Sequence, residues 1–278
     1  MTNSVHTNNA AAIALQNLTR TNDRLGDVQG RISTGLKVQG AKDNAAIWAI
    51  AQGQRADTAA LGAVKQSLDR ATSIADVALT AGESISDLLN QLKEKVVAAK
   101  DESLKTQSRQ LLNADFQALL KAIGSAVQNS SFDGGNILNG TLTNGIKFLA
   151  NADASSSITL SAKDLSLGGS IIELAMSDSL LSLTGAAQAL TRLDDSITQL
   201  NAALGEIGAQ AKQIEAHNGF VTKLMDTLES GIGNLVDADL AKESARLQAL
   251  QVQQQLGAQA LSIANQSPQI ILSLFQGG

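Results

Sequence analysis

Few residues of this 278-residue chain have the types and spacing that catalysis or metal binding requires. The absence of cysteine excludes a disulfide framework, thiolate chemistry and Cys-ligated metal sites. The two histidines, His6 and His217, have no serine and carboxylate partners in a triad-like arrangement. Asp237, Asp239 and Glu243 suggest a metal site, but without a glycine-bearing loop helix capping is the favoured interpretation. We therefore expect no enzyme activity, no cofactor and no metal site.

The composition favours long helices that pack on one another. Only one proline, Pro268, occurs, and the absence of this helix breaker elsewhere permits very long helices. Aromatic residues make up 2% of the chain, and aliphatic residues and alanine raise the hydrophobic fraction to 44%, as in thin helix-helix seams. The net charge of −5 disfavours nucleic acid as a partner. Neither a membrane span nor a signal peptide is predicted, because no apolar run is long enough.

Heptad spacing of apolar residues predicts the two main helices. The first seam consists of Leu61, Val64, Leu68, Ala71, Ala75, Ala78, Gly82, Ile85, Leu89, Leu92 and Val96. The second runs from Ala186 to Leu235 and includes Leu193, Ile197, Leu200, Leu204, Ile207, Ile214 and Asn218. A shorter helix that folds back is predicted from Leu112, Phe116, Leu119, Ile123 and Ala126. The expected fold is mainly α, an elongated antiparallel helical bundle or coiled coil.

A small β-hairpin region is predicted at the midpoint of the chain. Turn dipeptides occur at Asp133-Gly134, Asn139-Gly140 and Asn144-Gly145, and short alternating stretches occur at 146–148 and 158–160.

The two ends of the chain form a third region. One apolar stripe near the N-terminus contains Leu18, Leu25, Val28 and Ile32. The C-terminal helix carries two stripes, one with Leu240, Leu247, Leu250, Leu261 and Ala264, the other with Ala245, Ala249, Val252, Leu256, Ala260 and Ile263. No charged residue follows Arg246. Uncharged amides suit a packed surface or the wall of a polar conduit, and an uncharged disordered tail is the alternative explanation. Two stripes predict contacts on two sides, so other molecules are expected to cover one of them.

Three segments resemble the signatures of bacterial flagellins. Residues 31–51 (RISTGLKVQGAKDNAAIWAIA) are similar to the N-terminal signature, and 234–244 (NLVDADLAKES) and 263–274 (IANQSPQIILSL) to the C-terminal one. The resemblance implies a minimal flagellin that lacks large outer domains. It also implies an inner-tube domain D0 and an outer shell D1. The expected divisions are 1–36 (N-terminal D0 helix), 37–44 (linker), 45–128 (N-terminal D1 helices), 129–177 (hairpin region), 178–235 (C-terminal D1 helix) and 236–278 (C-terminal D0 helix).

The function implied by the resemblance is that of a structural subunit of the extracellular flagellar filament, which gives motility. The implied partners are other copies of the chain, other flagellins, the flagellar type III export apparatus, a flagellin chaperone, and hook-associated junction and cap proteins. No nucleic acid or membrane insertion is expected. A hook–filament junction protein of the same superfamily is one alternative. A signalling rod such as the cytoplasmic part of a chemoreceptor is another, disfavoured by the missing membrane span.

Several residues carry narrower expectations. By motif alignment, Gln91, Lys95 and Asp115 occupy positions where receptor-activating flagellins carry Arg, Leu and Glu, so weak activation of the vertebrate flagellin receptor is expected. Ser155, Ser156 and Ser157 are candidate glycosylation sites at the midpoint loop. Asn218 either sets the register of the second seam or lies at its surface. Trp48 is expected to pack where D0 and D1 meet. Gly219 replaces an arginine of the family pattern.

Overall fold

The computed structural model describes the backbone of residues 7–276 and the side chains of residues 7–266. His6 therefore lies outside the described residues. The described elements are, in chain order, α1 (Asn9–Thr34), α2 (Ala45–Ala99), α3 (Thr106–Asn129), β1 (Ile146–Leu149), β2 (Ser157–Leu160), α4 (Leu183–Val236) and α5 (Leu240–Gln276). The mainly α fold with a small antiparallel sheet is thus confirmed. The chain divides into two compact units, residues 57–226 and residues 1–56 with 227–278.

The longer unit is built around the α2 seam. All eleven seam residues from Leu61 to Val96 are buried, as heptad spacing requires of a packed helix face. Asp69 hydrogen-bonds Asn218, and Lys93 pairs with Asp194, so α2 and α4 run antiparallel. A Cβ at Gly82 would clash with the Leu204 side chain. The missing side chain therefore lets the two helices approach closely at this point.

The predicted stripe on α3 is wrong by one position at two places and includes a third residue, Leu112, that is not fully buried. Leu120 and Val127 are buried together with Phe116 and Ile123, whereas Leu112, Leu119 and Ala126 are only partly buried. The stripe also extends to a charged residue. The Arg109 guanidinium is buried because it donates hydrogen bonds to the carbonyls of Ala99 and Asp101, which end α2. This contact satisfies carbonyls that the helix leaves unpaired and turns the chain into α3.

The hairpin region consists of the antiparallel pair β1 and β2, in which Ile146 lies opposite Leu160 and Leu149 opposite Ser157. The glycine of each turn dipeptide, Gly134, Gly140 and Gly145, has a positive φ, and in the first dipeptide Asp133 has one as well. Phe148 and Leu160 are fully buried. The buried Asn136 side chain ties the region to α3, because its amide donates to the Val127 carbonyl (2.8 Å) and its oxygen accepts from the Leu138 N–H (2.8 Å).

Within the shorter unit, a short β-bridge between Leu36 and Asp237 links the segment after α1 to the segment between α4 and α5. The Lys37 N–H donates to the Val236 carbonyl and the Ala238 N–H donates to the Gly35 carbonyl, each at 2.7 Å. An apolar cluster of Val38, Ala51, Ile232 and Val236 lies beside the bridge, and Trp48 packs against it. Trp48 therefore has a packing partner within this unit. Among the described residues no helix is long and apolar enough to cross a membrane.

Candidate assembly surface

Local capping fixes where α1 begins and ends and where α5 begins. The Asn8 side chain accepts the Ala11 N–H at 3.0 Å and starts α1, and Gly35 ends it in the left-handed conformation. Asp239 accepts the N–H groups of Ala241 (3.0 Å) and Lys242 (3.1 Å), so it starts α5. These bonds account for the Asp239 carboxylate, and no group of metal-ligating side chains occurs among the described residues.

Contacts along α1 and α5 show that the two helices pair antiparallel. The Asn8 amide donates to the Ala264 carbonyl at 2.7 Å, and the Gln254 amide donates to Asn22 at 2.8 Å. Between them, Leu18 packs over Gly257, where a Cβ would lie 3.2 Å from the leucine side chain. Of the apolar residues predicted on α1, Val28 is buried, and Leu18, Leu25 and Ile32 are half-buried.

Helix α5 has three distinct faces, and one of them packs on α1. The half-buried residues at helical spacing are Leu247, Leu250, Gln254, Gly257, Leu261 and Ala264. Leu240, which was predicted to belong to this stripe, is instead 50% exposed.

The second face is apolar and exposed. It consists of Ala245, Ala249, Val252, Leu256, Ala260 and Ile263, which we call the outer stripe. Val252, Leu256 and Ile263 are exposed by 55%, 57% and 69%. A row of exposed large apolar side chains marks an interaction surface more often than chance.

The third face carries amides and is also exposed. It consists of Gln248, Gln251, Gln255, Gln259, Ser262 and Gln266, which we call the amide face. Because the chain has no charged residue after Arg246, no acidic or basic side chain interrupts this face. Helix α1 adds two exposed apolar residues that belong to no predicted stripe, Ile13 and Leu15.

The predicted seam residues of the longer unit lie on α2 and α4. Leu61, Val64, Leu68, Ile85, Leu89 and Leu92 on α2, and Leu193, Leu200, Ile207 and Ile214 on α4, are buried, while Ile197, Leu204 and Asn218 are partly buried. The Asn218 amide donates to Asp69 at 2.6 Å, and its own oxygen is buried with no partner among the described residues.

The remaining candidate residues lie at the surface of the longer unit. Gln91 and Asp115 are exposed, and the Lys95 ammonium lies 4.0 Å from the Asp115 carboxylate. Ser155, Ser156 and Ser157 are exposed at the hairpin tip.

Polar groups near the hairpin tip are occupied by structural hydrogen bonds. Hydrogen bonds from the Ser155 hydroxyl and backbone lower the pKa of Asp153 from its ordinary value. The His217 Nε2 lies 2.7 Å from the Ala150 carbonyl, which requires the tautomer protonated at Nε2.

Comparison with known proteins connects these features to one family. Residues 5–143 match the bacterial flagellin N-terminal helical region, and residues 190–275 match the bacterial flagellin C-terminal helical region. Flagellin FljJ of Caulobacter vibrioides is 55% identical over 99% of both chains, and a flagellin of Brucella melitensis is 38% identical over 99% of both. A solved chain of Vibrio parahaemolyticus, described as a flagellar hook-associated protein, is 14% identical with a TM-score of 0.58. It covers 70% of this chain and 100% of its own length, and it shows the shared fold alone.

Proposed function

Because this chain belongs to the bacterial flagellin family and is a structural subunit of the extracellular flagellar filament, we propose that its α1–α5 pair supplies the contacts that build the innermost layer of that filament. The observation that carries the proposal is the outer stripe. It exposes three large aliphatic side chains that a second copy of the chain would cover during self-polymerisation. The predicted D0 and D1 divisions, with boundaries at residues 36, 44, 128, 177 and 235, are part of this proposal.

Burial of the outer stripe provides the driving force for assembly. Each square ångström of apolar surface removed from water stabilises the assembled state by about 25 cal/mol, before ordering costs are subtracted. The contact is repeated by every subunit, so a modest gain per subunit is sufficient for a long polymer.

The amide face has a different role in the proposed inner layer. Glutamine side chains are hydrated and uncharged, so a wall made of them binds a passing polypeptide neither through burial nor through ion pairing. We assign this face to the wall of a central conduit. One face of α5 then packs on α1, one contacts neighbouring copies and one faces water.

The further partners remain proposals that rest on family membership. They are other flagellins, the type III export apparatus, a flagellin chaperone, and the junction and cap proteins. Flagellins are structural proteins, and we propose no enzymatic role for this chain. A hook–filament junction role has only a shared fold in its favour.

Two surface proposals concern the longer unit. The ion pair between Lys95 and Asp115 occupies side chains that a receptor would otherwise contact, which supports weak receptor activation. A reporter assay with purified monomer tests this, and full-strength activation would contradict it. The exposed Ser155, Ser156 and Ser157 are proposed glycosylation sites, and an intact mass equal to that of the bare polypeptide would exclude them.

A matched pair of substitutions tests the assembly proposal. Leu256→Gln places an amide on the outer stripe, and Ser262→Gln places the same amide on the amide face of the same helix. We expect Leu256→Gln to raise the critical concentration for polymerisation about tenfold, because it removes roughly 1.4 kcal/mol of apolar burial per contact. Ser262→Gln should polymerise normally. Equal behaviour of the two variants in a sedimentation assay would contradict the proposal.

A further inference from the structure

A groove between α1 and α5 is rich in arginine. It is lined on the α1 side by Arg24, Asp27, Val28 and Arg31, and on the α5 side by Arg246, Ala249 and Leu250. Charged side chains of the α1–α5 pair are confined to its end near this groove, because α1 carries none before Arg20 and α5 none after Arg246. The groove is thus the charged end of a pair that is otherwise uncharged.

The charges in the groove are only partly compensated. The Glu243 carboxylate, which is 5% exposed, accepts a hydrogen bond from Arg246 at 2.7 Å and lies 3.8 Å from the Arg31 guanidinium. Its second oxygen is buried with no partner among the described residues. Arg24 and Asp27 form no ion pair within the described part of the chain. Three guanidinium groups therefore face two carboxylates, and Arg24 is the cation with no anionic partner.

Two observations indicate what completes this groove. Ala249 belongs both to the groove and to the outer stripe, so the groove is continuous with the assembly surface. Helix α1 carries two exposed carboxylates, Asp23 and Asp27. The α1–α5 pair of a neighbouring copy that covers the outer stripe therefore brings carboxylates towards a groove that has one more guanidinium than it has carboxylates. Complementary charges of this kind fix register between partners and speed their encounter.

We propose that, in the filament, a carboxylate side chain of a second copy of this chain enters the groove and pairs with Arg24. This contact rests on the proposed assembly through α1 and α5, and adds to its apolar burial a charge contact that selects the register. The guanidinium donates hydrogen bonds and the incoming carboxylate accepts them. Because both groups are near the surface, the contact is weakened by salt.

A pair of variants on one helix measures the contact. Arg24→Gln removes the unpaired cation, and Arg20→Gln removes an exposed arginine of α1 that does not line the groove. We expect Arg24→Gln to raise the critical concentration roughly three- to tenfold at low salt, and the difference from wild type to shrink at 0.5 M NaCl. Arg20→Gln should shift it by less than about twofold. Equal shifts from both variants would overturn the proposal.

A cross-linking experiment identifies the partner residue directly. Arg24→Lys keeps the charge and introduces a primary amine, which a water-soluble carbodiimide joins to a contacting carboxylate as an amide, with the carbodiimide converted to its urea. Filaments are assembled from an equal mixture of ¹⁵N-labelled and unlabelled chains. We expect mass spectrometry to find peptides in which position 24 of one copy is joined to an Asp or Glu of the other.

The outcomes separate this inference from the assembly proposal. Filaments in which position 24 is joined to no carboxylate of another copy would overturn the groove contact and leave assembly through α1 and α5 intact. A critical concentration for Arg24→Lys between those of wild type and Arg24→Gln, with an unchanged monomer circular dichroism spectrum, would support the contact, because lysine keeps the charge but only a guanidinium donates two parallel hydrogen bonds to a carboxylate. Normal filaments from the Leu256→Gln variant would instead count against the assembly proposal.

Discussion

The α2–α4 seam and the α1–α5 pair both carry apolar residues at regular helical spacing, but the two regions differ in how far one chain buries them. On α2 all eleven seam positions are buried within one chain, whereas on α5 one apolar stripe is half-buried and the other is exposed. The difference lies in the partners that a single chain supplies. The chain itself buries the seam of the longer unit, and we propose that other copies cover the exposed stripe of the terminal pair. In this proposal the longer unit provides the stability of the monomer, and the α1–α5 pair provides the contacts for assembly.

Removal of α5 should have the largest effect on polymerisation and leave the stability of the longer unit unchanged. Deletion of residues 240–278 removes the outer stripe and the partner of α1. We therefore expect no sedimentable polymer at concentrations at which the wild type polymerises. The longer unit should keep its helical circular dichroism signal and its thermal unfolding transition, since its seam is intact. Filaments formed by this truncated chain, seen by electron microscopy, would contradict the account.

Leucine truncation in the two regions should have opposite consequences. Leu92 is fully buried, and Leu92→Ala should lower the free energy of unfolding of the monomer by about 2–5 kcal/mol through lost burial and a cavity. Leu256→Ala should change it by less than about 0.5 kcal/mol because the side chain is exposed. In polymerisation assays Leu256→Ala should have the larger effect and Leu92→Ala the smaller one, provided that both variants are folded as monomers. Similar losses of unfolding free energy for both variants, measured by denaturant unfolding, would contradict this difference between the α2 seam and the outer stripe.

Gly82→Ala tests how tightly the α2 seam is packed. The added methyl group would collide with the Leu204 side chain, and such overpacking costs about 1–3 kcal/mol of unfolding free energy. The matched control is Gly62→Ala on the same helix, where a Cβ meets no atom within 4 Å and alanine is the better helix former. An equal rise in melting temperature for both variants would show that the helices separate without cost.

Asn218 should give the smallest effect. Asn218→Leu loses the hydrogen bond to Asp69 and also removes a buried oxygen that has no partner in the described structure, so we expect a gain of up to about 1 kcal/mol in the monomer. Asn218→Asp should instead destabilise the monomer, because it sets a second carboxylate beside Asp69. A lower melting temperature for Asn218→Leu than for wild type would favour a stabilising role for the native amide.

Heptad periodicity made the long helices predictable because almost every buried position on α2 is apolar. The α3 stripe was misplaced because Leu119 and Leu120, and likewise Ala126 and Val127, are adjacent apolar residues, and periodicity alone does not select the buried member of such a pair. The buried Arg109 was missed because its burial depends on carbonyls at the end of α2, which no residue spacing encodes.

The assembly surface was only partly predictable. Two stripes on α5 were legible from the sequence, but which of them packs on α1 depends on the register set by Gly257 against Leu18 and by Gln254 with Asn22. The groove around Arg24 was missed for a similar reason. Its arginines belong to two segments more than 200 residues apart, and only the antiparallel pairing of α1 and α5 brings them together.

The central claim, that other copies cover the outer stripe, is tested most directly by thiol accessibility. The chain has no cysteine, so Leu256→Cys and Ser155→Cys each introduce the only thiol. We predict that a maleimide modifies both thiols at similar rates in the monomer. In the filament the thiol at position 256 should react at least about tenfold more slowly, while that at position 155 is unchanged. Equal reactivity at position 256 in monomer and filament would contradict the account.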